Sequence, residues 1–81
     1  MTLAGLREAA MRKAAAAEAV LRKEEAVLAA DLAYAHEHKQ PMGDGYWQPA
    51  HRARLQAKAA RALADAFNDF LTETGEDNGN A

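Results

Sequence analysis

The chain contains no cysteine and no serine. Without cysteine there is neither a disulfide framework nor a thiolate metal site to staple the fold, so packing has to supply the stability. Without cysteine or serine, and with no phosphate-cradling glycine-rich loop, the commonest nucleophiles and the P-loop are also missing, and no enzymatic chemistry is expected. Charge of one sign is absent too. The 12 acidic and 10 basic side chains leave a net charge of -2, which gives no global bias toward nucleic acid or membrane. No long apolar run occurs, and charges appear within the first turns after Met1, so neither a signal peptide nor a membrane span is read. A soluble, cytoplasmic protein is the default expectation.

Glycine and proline are scarce, at 5 and 2 residues, and both prolines fall in one stretch, Lys39-Gln-Pro-Met-Gly-Asp-Gly-Tyr-Trp-Gln-Pro49. No helix crosses such a segment. The alanine-rich sequences on either side are strong helix formers, so the pattern predicts an all-α fold: an antiparallel hairpin of two long helices. The expected boundaries are a first helix over about 3–39, a loop over 40–48, a second helix over about 49–73, and a flexible acidic tail over 75–81. Thr2 suits the N-cap of the first helix, Pro49 the first turn of the second, and Gly75 its stop. Residues 1–74 thus form one domain.

At about 100° per residue, Leu3, Ala10, Ala14, Ala17, Leu21, Leu28, Leu32 and Ala35 make a narrow stripe on the first helix, the expected packing seam. Ala9, Ala16, Val20, Val27 and Tyr34 make a second stripe, with Glu24 and Asp31 between the two. On the second helix Ala59, Ala60, Leu63, Ala66, Phe67, Phe70 and Leu71 form the apolar face, while Arg54, Lys58 and Arg61 lie opposite and should not reach acids across the seam. Glu8 with Arg12 and Glu18 with Arg22 are expected i,i+4 pairs. Two helices share one line of contact, so the hairpin leaves apolar stripes uncovered. A dimeric four-helix bundle, coiled-coil-like in its packing, would cover them, with Leu21, Leu28, Leu32, Leu55, Leu63, Phe67 and Phe70 as core and self-association residues.

Tyr46 and Trp47 concentrate aromatic area in the loop, and with Val20, Val27 and Tyr34 they are the expected partner-binding surface. The alternative for Trp47 is a plug closing the loop end. His51, Arg52, Arg54, Lys58 and Arg61 form a basic run at the start of the second helix, where the helix dipole disfavours cations, and phosphate contact is its functional reading. His36, His38 and His51 lie near the loop, but His36 and His38 are two apart and point nearly opposite ways on a helix, so no metal site and no cofactor are expected. The preferred reading is a small non-enzymatic interaction protein that self-associates and binds or inhibits another protein, or serves as an assembly component. Its size also suits a product of a phage or other mobile element. A nucleic-acid-associated regulator is the alternative.

Overall fold

The computed structural model describes residues 2–74, and the expected tail at 75–81 lies outside the described residues. Two helices pack side by side as a rod 62 × 19 × 16 Å: α1, Leu3–Glu37, and α2, Gln48–Thr74. Among the described residues neither helix is long and apolar enough to cross a membrane.

Each helix end has a local cause. The Thr2 hydroxyl accepts a hydrogen bond from the Gly5 N–H at 3.0 Å, satisfying one of the orphan donors of the first turn. At the other end α1 stops at Glu37, two residues before the expected position. The Gln40 N–H reaches back to the Ala35 carbonyl (2.9 Å) and the Lys39 N–H to the His36 carbonyl (3.3 Å), a Schellman termination. Lys39 takes the left-handed conformation at φ 53°, the place usually given to glycine. Pro41 explains the stop, because it pushes the preceding Gln40 out of the helical region. Gly45, at φ 78°, closes the loop: its carbonyl accepts from the Gln48 N–H at 3.0 Å, and a Cβ there would press on the Gln48 side chain at 3.1 Å. The Trp47 carbonyl then accepts from His51, so Pro49 sits in the first turn of α2, where no N–H is needed.

The seam is built on alanine. Along α2 the inward residues are Ala50, Ala53, Ala57, Ala60, Ala64, Phe67 and Leu71, spaced alternately by three and four. Along α1 the same alternation carries Leu3, Arg7, Ala10, Ala14, Ala17, Leu21, Glu24, Leu28 and Ala35. This is heptad geometry, a two-stranded antiparallel coiled coil. Ala14 and Leu71 are fully buried, and Ala10, Ala14 and Ala64 form the core cluster, with Ala60 and Phe67 packed on it. Each buried alanine methyl contributes only about 0.8 kcal/mol, but its small size lets the helix backbones approach closely.

This seam corrects two expectations. The inner face of α2 is the alanine row from 50 to 64 rather than the face centred on Leu63 and Phe70, and both of those side chains stay about half exposed. On α1, Leu32 is likewise exposed, whereas Leu21 and Leu28 hold half-buried seam positions. The reason is length: the alanine frame runs unbroken along all of α2, whereas the frame through Leu63 and Phe70 carries Pro49 and Gln56 at its earlier positions.

Two substitutions test this packing. Ala64→Leu should destabilise the hairpin by about 1–3 kcal/mol, since the seam has no room for the added carbons. Lys39→Gly, which relieves the left-handed residue, should raise stability by up to about 1 kcal/mol. Urea unfolding followed by circular dichroism measures both, and a neutral Ala64→Leu would show that the helices do not touch closely there.

Candidate interaction surface

An antiparallel coiled coil has two flanks, and here they differ completely. On one flank Arg61 grips Glu18 with both prongs of its guanidinium, Nη2 to Oε1 at 2.6 Å and Nε to Oε2 at 3.0 Å. Two turns along the rod, Arg54 Nη2 meets Glu25 Oε2 at 3.3 Å. The basic row of α2 therefore does pair with α1, contrary to the expectation that it points away. With the alanine row facing inward, Arg54 and Arg61 fall immediately beside the seam. Glu18 is thereby drawn across to Arg61 instead of to Arg22, while the Glu8–Arg12 pair stays on α1 with its ends 4.0 Å apart. The Arg61 hydrogen bonds hold the Glu18 carboxyl below its ordinary value of 4.5 and raise the Arg61 guanidinium.

The other flank is apolar. Leu6, Val20, Val27 and Tyr34 recur at multiples of seven along α1, interrupted by Lys13, and Leu63 and Phe70 do the same on α2, following Gln56. All six are exposed, Val27 by 46% and Phe70 by 49%. An open groove of about 370 Å³ lies on this flank near the free ends of the helices, lined by Leu3, Leu63, Ala66, Phe67 and Phe70. Three of the expected partner-binding residues, Val20, Val27 and Tyr34, thus share one flank with Leu63 and Phe70. Leu32 falls on the ion-paired flank and Leu55 on the outer surface of α2, so neither joins them. The α1 half of this flank, Val20, Val27 and Tyr34, is the second stripe read from the sequence, whereas the place of Leu63 and Phe70 beside it became readable only once the inner row was known.

The loop end carries a separate aromatic group. Tyr46 and Trp47 are both about half exposed, so Trp47 is not a buried plug. Its ring meets His51 edge-on at 5.4 Å, and Tyr34 stacks on His38 at 4.0 Å. The His38 Nδ1 donates to the Tyr34 carbonyl at 3.0 Å, which fixes that ring across the last turn of α1. Among the described residues, no group of three histidine, aspartate or glutamate side chains could hold a metal ion.

Of the basic run, His51, Arg54, Lys58 and Arg61 share one stripe of α2 at spacings of three and four, with Arg54 and Arg61 paired to Glu25 and Glu18 and His51 against Trp47, while Arg52 lies off that stripe. No protein-family model, curated protein or solved structure matches the chain.

The Arg61 pairing has a pH signature. A carboxylate whose acidity is strengthened by folding adds stability above its unfolded value, and that stability is lost as pH falls through the lower folded value. In urea titrations the midpoint should therefore fall as pH drops below about 4.5, the ordinary glutamate value, and Glu18→Gln should flatten that decline. An identical decline in the variant would show that Glu18 contributes nothing to it.

Proposed function

We propose that this protein is a small non-enzymatic interaction module that self-associates through its apolar flank into a four-helix bundle and offers its aromatic loop end to another protein. One observation carries the reading: six large apolar side chains, Leu6, Val20, Val27, Tyr34, Leu63 and Phe70, lie exposed along one flank outside a seam in which alanines make up most of the buried residues. Contiguous apolar surface of that kind marks an interaction site in a folded protein. A hairpin of two helices also lacks the buried area that a domain of this size ordinarily needs, and a second hairpin supplies it.

The loop end has a different role in this reading. Tyr46 and Trp47 combine large contact area with few rotatable bonds, and they sit where a rod presents its tip rather than its side. Self-association by the flank leaves that tip open, so one protein can assemble with itself and contact a partner at once. Binding that blocks the partner's own surface, or that joins it to an assembly, follows from the same geometry.

Light scattering coupled to size-exclusion chromatography tests both surfaces. The wild-type protein should elute at twice the chain mass of 8.7 kDa. Val20→Asp, which places a charge in the flank, should weaken the dimer at least about tenfold, corresponding to ~1.4 kcal/mol. Trp47→Ala should leave the mass unchanged and abolish capture of a partner. If neither substitution alters mass, stability or binding, the assignment of surfaces is wrong.

A further inference from the structure

We propose that two copies dock apolar flank to apolar flank with their loops at the same end, so that α1 of each copy lies against α2 of the other. The inference rests on the self-association proposed above and specifies its geometry. Two observations lead to it: the register of the hairpin and the uneven spread of apolar side chains along the flank.

The Glu18–Arg61 and Glu25–Arg54 pairs fix which residues share a level along the rod. In that register Phe70 is level with Ala9, Leu63 with Ala16 and Ala59 with Val20. A two-fold axis along the rod keeps every level unchanged. It therefore sets Phe70 against Ala9 of the second copy, Leu63 against Ala16 and Val20 against Ala59. At these three levels a large side chain meets a small one, which is how knobs fill holes between helices, while toward the rod's two ends Val27 comes level with Arg52 and Leu6 with Glu73.

The free-end half of the flank is the more apolar, carrying the groove formed by Leu3, Leu63, Ala66, Phe67 and Phe70. Same-end docking places the two grooves against each other. Opposite-end docking, about an axis crossing the rod near Val20, would instead set Phe70 against Gln48 and Ala9 against Asp31 of the second copy. That arrangement covers apolar groups with polar ones and strands an exposed carboxylate against an alanine surface.

Charge is compatible with this arrangement but does not choose between the two, because neighbouring helices of the two copies run antiparallel in opposite-end docking as well. Cations come early and anions late in each helix, most cleanly in α2, where Arg52 to Arg61 precede Asp65, Asp69 and Glu73. A partner helix running the opposite way therefore meets opposite charge at each level. Here Lys13 comes within one helical turn of Asp69 of the second copy, and Glu24 within one turn of Arg52.

The chain has no cysteine, so Asp44→Cys at the exposed loop gives one attachment point per copy. Spin labels there, measured by pulsed dipolar spectroscopy at concentrations where light scattering reports the dimer, should lie roughly 15–30 Å apart, about the width of a four-helix bundle plus the label tethers. A dimer with a separation near 60 Å, the length of the rod at ~1.5 Å per residue, overturns the same-end arrangement and leaves self-association standing. A single-chain mass with no dipolar coupling overturns both. A mixture of Ala16→Cys and Leu63→Cys proteins should, in addition, form a disulfide-linked heterodimer under mild oxidation. A protein that stays dimeric without that crosslink speaks equally against the arrangement.

Discussion

Close contact between alanine rows is the constraint from which the rest of this structure follows. Where two helices meet largely through methyl groups, they leave room for only a few larger side chains between them, and others such as Leu63 and Phe70 fall on the flank. Small seam residues bring the backbones together but bury little area per residue, so the intramolecular interface is tight and weak at once. Leu71 and the half-buried Leu21, Leu28 and Phe67 supply much of its apolar area, and they are spread along the rod rather than gathered into one core. A fold stabilised in this way gains more than most from a second layer of helices.

The same rotation that puts alanine inside sorts the two flanks by chemistry. Arg54 and Arg61 fall on one side and find Glu25 and Glu18, and Leu63 and Phe70 fall on the other and find no polar neighbour to satisfy. Exposed ion pairs contribute little stability, but they fix register and rotation, because a slip by one residue would separate both pairs together. The charges also run against the helix dipoles: α1 has no acid in its first turn, and α2 has neither an acid in its first turn nor a base in its last. Each helix alone is therefore electrostatically disfavoured at its ends, and an antiparallel neighbour offsets that cost by placing the opposite charge alongside.

Much of the architecture was legible in the residues. The helix-breaking segment between Lys39 and Pro49, the Thr2 cap and Pro49 in the first turn of α2 are local signals, and local signals do not depend on what packs where. The inner stripe of α1 was legible as well, with Ala10, Ala14 and Ala35 inside as its spacing requires. The inner face of α2 was legible only in part: Ala60, Phe67 and Leu71 lie inside as expected, but Leu63 and Phe70 do not, because two frames with the same alternation of three and four overlap in its sequence. Side-chain size favours the frame through Leu63 and Phe70, and only the continuity of the alanine frame, together with the reach of Arg54 and Arg61 to α1, decides against it. The early stop at Glu37 was hidden for a related reason: a lysine in the left-handed position carries no sequence signal of its own, and the cause lies two residues on, at Pro41.

Two of the side chains that a size-weighted pattern assigns to the hairpin's own core, Leu63 and Phe70, are left outside it while Phe67 and Leu71 stay within, so residues that look structural lie exposed on the flank. Leu63 and Phe70 could be buried within the hairpin only by rotating α2 until Arg54 and Arg61 left their carboxylates and the alanine row faced water. That exchange would widen the helix separation along the whole seam and lose both ion pairs to bury side chains over only part of its length. The hairpin thus keeps its tightest packing for its own seam and leaves the apolar side chains of one flank exposed, and the aromatic loop end stands exposed apart from that flank.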